Sequence, residues 1–123
     1  MAADKALVGA AGVHYVAFEL ASRGYAVGLT SPGVKDVDLL ATNAETGKSI
    51  VVQVKTMTHA HVNSKRWGPY WKWRIGKLAQ GPPREGFFVV FVDLRRDPKA
   101  PPAPDVFIVP HGDLAGNSKG LAG

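Results

Sequence analysis

Four polar side chains interrupt two otherwise apolar segments in the first half of the chain. Asp36 and Asp38 lie in the segment DVDLLAT, and Gln53 and Lys55 lie in the segment SIVVQVKTM. Charged residues are depleted in strand interiors and are costly to bury without partners. A cluster of this kind therefore indicates either a metal site or an ion-pair network.

The turn-forming sequence NAETGK separates the two segments and predicts a hairpin. If the turn is centred between Glu45 and Thr46, Asp38 lies opposite Gln53 and Asp36 lies opposite Lys55. Because side chains alternate along a strand, these four polar residues are expected to share one face of the hairpin. The other face is then expected to carry the apolar side chains of Val37, Leu39, Val52 and Val54.

An oxygen-rich cluster of this size suits a hard divalent cation. Mg²⁺ takes oxygen ligands, keeps several waters and is commonly held by one or two carboxylates. Asp38 can supply such a ligand, with help from Asp36 or from the amide oxygen of Gln53. The ammonium group of Lys55 could stabilise charge developing on a phosphate or orient an attacking water. The alternative is an exposed hairpin face with an Asp36–Lys55 pair worth well under about 1 kcal/mol.

Apolar periodicity and chain breakers predict the elements that position this cluster. Apolar residues at three- and four-residue spacing predict a helix over residues 4–23, which Gly24 ends. One helix before a set of strands indicates an α/β or α+β fold with a mixed sheet. The predicted strands are 25–30, 36–42, 49–57, 87–94 and 106–110, with a further short strand at 70–74 and helical turns at 75–80.

Length and composition limit the class of protein. The chain has 123 residues, a formal net charge of +5 and no cysteine. This length fits one compact domain over residues 1–115, followed by a flexible tail over residues 116–123. The lack of cysteine excludes disulfide frameworks, thiolate zinc sites and cysteine nucleophiles. No apolar run approaches the ~20 residues that span a bilayer, so a cytoplasmic protein without a membrane partner is expected.

The positive charge is concentrated in one segment. Between Glu45 and Glu85 the chain has no acidic residue, and this window also holds all three tryptophans. Cations interleaved with aromatic side chains are typical of a surface that contacts phosphates and stacks on bases. The alternative is a solvated basic face whose tryptophans cover a small core. The residues predicted to contact nucleic acid are Lys65, Arg66, Trp67, Trp71, Lys72, Trp73 and Arg74.

The order of these segments resembles the PD-(D/E)xK nuclease superfamily, which includes restriction endonucleases and Holliday-junction resolvases. A leading helix is followed by DVDLLA, a turn and then QVKT. The helix sequence HYVAFELASRGYAV and the late strands FFVVFVDL and VFIVP are also similar to those of small bacterial and archaeal members. The resemblance covers roughly residues 9–115.

This resemblance implies an α/β fold with a restriction-endonuclease-like core, in which the leading helix precedes a mixed sheet of four to five strands. It also implies a metal-dependent DNA endonuclease that uses Mg²⁺ or Mn²⁺. It places the metal-binding aspartate on Asp38, the (D/E) position on Gln53 and the catalytic lysine on Lys55. The Val54 carbonyl is implied as a further metal ligand. Since many members act as dimers, a homodimer is a further expectation.

The chain departs from the pattern of the superfamily at three positions. Val37 replaces a frequent proline, and Gln53 replaces an acidic residue, as in branches with a Q-x-K strand. Val13 stands where the first helix often has a glutamate. Glu19 is the candidate substitute, although it lies about 120° around the helix from Val13 and can instead pair with Arg23. Glu19 and Asp36 are therefore further candidate metal ligands. The missing carboxylates favour a second interpretation, a module of the same fold that binds DNA or a protein partner without cleavage.

Overall fold

The computed structural model describes residues 4–31, 33–66, 68–73, 75–95, 99 and 104–115. In this part of the chain the helical elements are α1 (Lys5–Ser22), a 3-10 turn (Gly76–Ala79) and α2 (His111–Ala115). The strands are β1 (Tyr25–Leu29), β2 (Leu39–Asn43), β3 (Ser49–Met57), β4 (His61–Ser64), β5 (Gly68–Trp71), β6 (Phe87–Asp93) and β7 (Asp105–Pro110).

Five of the strands form one mixed sheet in the order β1-β2-β3-β6-β7. Strands β1, β2 and β3 are antiparallel neighbours, β6 is parallel to β3, and β7 is antiparallel to β6. Strands β4 and β5 form a separate hairpin within the connection from β3 to β6. The predicted α/β fold, with a leading helix and a mixed sheet, is confirmed.

Helix α1 covers one face of the sheet, which we call the helix face. The helix begins at Asp4, whose carboxylate accepts a hydrogen bond of 2.8 Å from the Ala6 amide and so satisfies a free donor of the first turn. After Ser22 the chain passes through Gly24, whose φ of 95° suits glycine. The buried core on the helix face consists of Val16, Leu39, Val52, Val54, Val90, Val92 and Leu94.

The connection from β3 to β6 packs on the opposite face, which we call the crossover face. Because parallel strands require a crossover, residues 58–86 must leave one end of the sheet and return to the other. The second buried core lies on this face and consists of Leu78, Phe87, Val89, Phe91 and Leu114. Strand β6 contributes to both cores, as its continuous apolar sequence predicts.

Two buried polar side chains fix the ends of the crossover. The Asp93 carboxylate accepts hydrogen bonds of 3.1 Å and 3.2 Å from the amides of Ala60 and His61, where the crossover begins. Near its end, Nδ1 of His111 accepts a hydrogen bond of 3.0 Å from the Arg84 amide. The other ring nitrogen of His111 donates to the Leu78 carbonyl at 2.8 Å. The crossover is therefore tied to the sheet by groups that would be costly to bury unpaired.

Several predicted boundaries need correction. The second strand begins at Leu39 and not at residue 36, and the short strand predicted at 70–74 lies at Gly68–Trp71. The helical turns predicted at 75–80 form the 3-10 turn Gly76–Ala79. The tail predicted at 116–123 lies outside the described residues. Among the residues described, no helix has the length and apolar character needed to cross a membrane.

Gly12 is the point of closest approach between α1 and the sheet. A Cβ atom added at Gly12 would lie 2.7 Å from the Cβ of Thr56, a distance that real Cβ atoms essentially never show. A Cβ atom at Gly9, in the same helix, would meet no atom within 4 Å. The glycine at position 12 therefore lets α1 pack against β3.

We predict opposite effects of alanine at these two positions. Gly12→Ala should lower the free energy of unfolding by about 1–3 kcal/mol, because Thr56 or the helix must move. Gly9→Ala should raise it by about 0.5–1 kcal/mol, because alanine restricts the unfolded chain and favours the helix. Urea unfolding of the two variants tests this, and equal effects would contradict the close packing at Gly12.

Candidate active site

Asp38 lies just before β2 and is held between the end of β1 and the middle of β3. On one side, the Thr30 hydroxyl donates a hydrogen bond of 2.7 Å to the Val37 carbonyl, and the Thr30 amide donates to the Asp38 carbonyl at 3.2 Å. On the other side, the Asp38 amide donates to the Val52 carbonyl at 2.9 Å. These bonds fix the Asp38 backbone relative to both β1 and β3.

The hairpin has the predicted register from Thr42 to Leu39, but the pairing pattern changes at Asp38. Leu39 pairs with Val52 as the turn position predicts, yet Asp38 donates to the same Val52 carbonyl. Two residues of one strand therefore oppose one residue of the other, as in a β-bulge, which often redirects a side chain next to an active site.

This change corrects three predicted positions. Asp38 precedes β2 and bonds to Val52, so its predicted pairing with Gln53 is not made. Asp36 lies outside the strand with a left-handed φ of 64°, so its predicted pairing with Lys55 is not made. Val37 packs against the core of the crossover face, whereas Leu39 is buried in the core of the helix face. The alternation that predicted a shared face for Val37 and Leu39 is wrong at this point, because the bulge interrupts it.

The Asp38 carboxylate reaches along the edge of β3. Its Oδ2 atom accepts a hydrogen bond of 2.7 Å from the Val54 amide. Because the amide and carbonyl of one strand residue point to the same edge, the Val54 carbonyl is also directed toward the Asp38 side of β3. Asp38 therefore contacts the residues on both sides of Gln53 and places a carboxylate beside the Val54 carbonyl.

Gln53 carries a buried acceptor without a donor. Its side chain is only 9% exposed, and its Oε1 atom has no hydrogen-bond partner among the described residues. An unpaired buried polar group costs about 1–3 kcal/mol, so such groups require an explanation. An amide oxygen with free lone pairs and a carboxylate are both suitable donors for a hard cation, so the chemical types of Gln53 and Asp38 fit Mg²⁺.

Lys55 follows Gln53 by two residues and lies on the same face of β3. Lys55 is level with Phe91 of the neighbouring strand β6 and is partly buried. In the described ranges the ion pairs join Arg23 to Glu19 and Arg95 to Asp105, so the Lys55 ammonium has no carboxylate partner there. Gln53 and Lys55 thus lie on β3, and Asp38 contacts the backbone of the same strand at Val52 and Val54.

Glu19 is not part of this group. The Glu19 carboxylate pairs with Arg23, which directly follows α1. Burial and the nearby Glu19 carboxylate raise the pKa of Tyr15. Glu19 lines an apolar groove on the helix face with Ile50, at the start of β3. Val52 lines the same groove, whereas Gln53 and Lys55 alternate to the crossover face. The ion pair between Glu19 and Arg23, which the sequence offered as the alternative to metal binding by Glu19, is the arrangement observed.

The residues predicted to contact nucleic acid are only partly described. Lys65, Arg66 and Lys72 are exposed on or beside the β4–β5 hairpin. Trp71 is 42% exposed, whereas Trp73 is partly buried against Phe91 at a ring distance of 5.1 Å. The predicted contacts at positions 67 and 74, Trp67 and Arg74, lie outside the described residues.

Sequence reasoning missed the residues that support the site. Thr30 anchors the bulge, and Asp93 anchors the crossover, yet neither was singled out. Asp93 could have been found because it is the one charged residue in the apolar segment FFVVFVDL. Thr30 has no comparable signal, since its role depends on where β1 ends.

Comparisons of the chain with family models, with curated proteins and with solved structures found no match. Across the described part of the chain there is also no group of three or more histidine, cysteine, aspartate or glutamate residues that could hold a metal ion. Any metal bound at Asp38 would therefore depend on neutral oxygen ligands such as Gln53.

The Asp38 carboxylate has a structural role that can be separated from its charge. Asp38→Asn should change the free energy of unfolding by less than about 1 kcal/mol, because the amide oxygen can still accept from Val54. Asp38→Ala should lower it by about 1–3 kcal/mol, because the Val54 amide loses its acceptor. Urea unfolding in the presence of EDTA measures both values, and equal losses would contradict the assigned hydrogen bond.

Proposed function

We propose that the protein is a Mg²⁺-dependent DNA endonuclease of the PD-(D/E)xK type. The observation that carries this proposal is the buried Oε1 atom of Gln53, which has no hydrogen-bond partner among the described residues and belongs to the residue between the two that Asp38 contacts on β3. The fold adds support, because the Asp precedes β2 and the Q-x-K motif lies on the adjacent β3, behind a leading helix. This is the order on which the resemblance to the superfamily rests.

Each residue of the site has a distinct role in this proposal. Asp38, the Gln53 amide oxygen and the Val54 carbonyl would hold the metal. When bound, Mg²⁺ would supply a Lewis acid that polarises the phosphate and favours ionisation of water. The Lys55 ammonium would stabilise the negative charge that develops on the phosphate oxygens as water attacks. The water oxygen bonds to phosphorus, the bond to one deoxyribose oxygen breaks, and that oxygen takes up a proton.

The single carboxylate of the site favours a second candidate function. Asp36 lies outside β2 and does not pair with Lys55, and Glu19 pairs with Arg23. A divalent cation held by one carboxylate and neutral oxygens is expected to bind weakly. A module of the same fold that binds DNA without cleavage is therefore the alternative that the experiment must separate.

We predict that the purified protein cleaves branched or duplex DNA only when millimolar Mg²⁺ or Mn²⁺ is present. Asp38→Asn and Lys55→Ala should each abolish cleavage while DNA binding is largely kept. Gln53→Glu adds the missing charge at nearly constant shape and should tighten metal binding, measured as metal-dependent thermal stabilisation. Lys77→Ala, which removes an exposed lysine of the 3-10 turn, is the matched control and should cleave normally.

The alternative predicts a different set of results. If neither the wild type nor Gln53→Glu cleaves any DNA structure with Mn²⁺, and neither is stabilised by the metal, the binding module is the better account. Cleavage that persists in Asp38→Asn would instead show that the reaction takes place elsewhere.

A further inference from the structure

An exposed aromatic surface lies on the crossover face beside the candidate active site. The Trp71 ring of β5 meets His61 edge to face at 4.8 Å and Phe107 of β7 at 5.2 Å. Trp71 is 42% exposed and Phe107 is 37% exposed. Since edge-on neighbours hold a ring in place, the two exposed rings form a preorganised surface. We call Trp71 and Phe107 the aromatic surface.

The sheet connects this surface to the proposed site by a short path. Phe107 pairs with Phe91, and Phe91 pairs with Lys55, so the three residues lie side by side on β7, β6 and β3. Neighbouring strands are about 4.8 Å apart, which places Phe107 about 10 Å from Lys55 across the sheet. Trp73 fills the space between, with its ring 5.1 Å from Phe91 and 6.2 Å from Phe107.

The charges around the aromatic surface are complementary to nucleic acid. Lys72 follows Trp71 directly, and Lys65 and Arg66 lie at the turn of the same hairpin, about 10 Å from Trp71 along β5, all exposed. The two carboxylates nearest along β6 and β7 are already engaged, because Asp93 accepts from backbone amides and Asp105 pairs with Arg95 at 3.5 Å. Exposed aromatic rings beside cations are the arrangement that proteins use to bind unpaired nucleotides.

We propose that the aromatic surface stacks on an unpaired DNA base close to the bond that is cut. The proposed function supplies the position of that bond, next to Lys55. At about 3.4 Å per stacked nucleotide, a distance of about 10 Å corresponds to about three nucleotides or fewer. In a duplex both faces of a base are covered by its neighbours, so a protein ring can stack only on a base that is unpaired or at an end. The substrate class is therefore DNA with a single-stranded segment or a branch at the cutting position.

The chain offers a matched control on each of the two strands. Tyr70 precedes Trp71 and is similarly exposed at 38%, but strand alternation directs it to the other face of the hairpin. Ile108 follows Phe107, is 64% exposed and lines the groove on the helix face. Trp71 and Phe107 can thus be compared with neighbours that share their strand and their exposure to solvent.

The test measures binding of a short fluorescent oligodeoxythymidylate and of a duplex of the same length, in EDTA and at fixed salt. The wild type should bind the single strand more tightly than the duplex. Trp71→Leu keeps an apolar side chain against His61 and Phe107 but removes the stacking ring, and it should weaken single-strand binding about tenfold. Phe107→Leu should act in the same direction, whereas Tyr70→Leu and Ile108→Ala should bind like the wild type.

Two controls distinguish a loss of stacking from a loss of charge and from a loss of folding. They are the salt dependence of affinity and thermal unfolding. Because no cation is removed, Trp71→Leu should keep the wild-type slope of affinity against salt concentration, and Lys72→Ala should make it shallower. Thermal unfolding identifies a variant that is not folded, and Trp71→Phe, which retains a ring, should restore most of the affinity. Equal effects of Trp71→Leu and Tyr70→Leu, or equal wild-type affinity for both DNA forms, would overturn the proposal.

Binding at the aromatic surface and cleavage are measured separately, and only the position of the stacked base beside the cut bond rests on the proposed function. Trp71-dependent binding of the single strand without cleavage would support the aromatic surface and reject the nuclease function. Metal-dependent cleavage of fully paired duplex that Trp71→Leu does not slow would support the nuclease function and reject the aromatic surface.

Discussion

The parallel pairing of β3 with β6 is the constraint on which the rest of the structure depends. It obliges the chain to cross one face of the sheet, and Asp93 and His111 tie the two ends of this crossover to buried backbone groups. The crossover covers β6 on that face, while Leu40 on β2 stays exposed beside it. The candidate site on β3 therefore lies at the boundary between the covered part and the open part of the same face.

The arrangement at this boundary depends on the bulge at Asp38. Without the bulge, the Asp38 side chain would continue the alternation of β2, and the Asp38 backbone would pair with the next residue of β3. The bulge and the Thr30 bonds direct Oδ2 to the Val54 amide and leave Gln53 between the two residues that Asp38 contacts. A buried amide oxygen without a donor is destabilising in a structural core, and it is reasonable where a ligand is to be held.

Particular residues show what the sequence could and could not predict. The register of the hairpin was predictable because Asn43 starts a turn whose geometry is local, and its Oδ1 accepts from the Glu45 and Thr46 amides. The apolar strand β6 was predictable because continuous hydrophobicity follows from burial on both faces. The bulge was not, since it depends on the Thr30 contact across the sheet. Thus the pairing of Leu39 with Val52 was predicted correctly, whereas the positions of Asp36, Val37 and Asp38 relative to β3 were not.

The most direct measurement is a titration of isotope-labelled protein with Mn²⁺, followed by broadening of the backbone amide signals in NMR spectra. A paramagnetic ion broadens the signals of nearby nuclei most strongly. The account predicts that the amides of Asp38, Gln53 and Val54 broaden first, and that Asn in place of Asp38 abolishes this effect. Broadening that begins instead at the exposed carboxylates of Glu45 and Glu85 would contradict a metal site at Gln53.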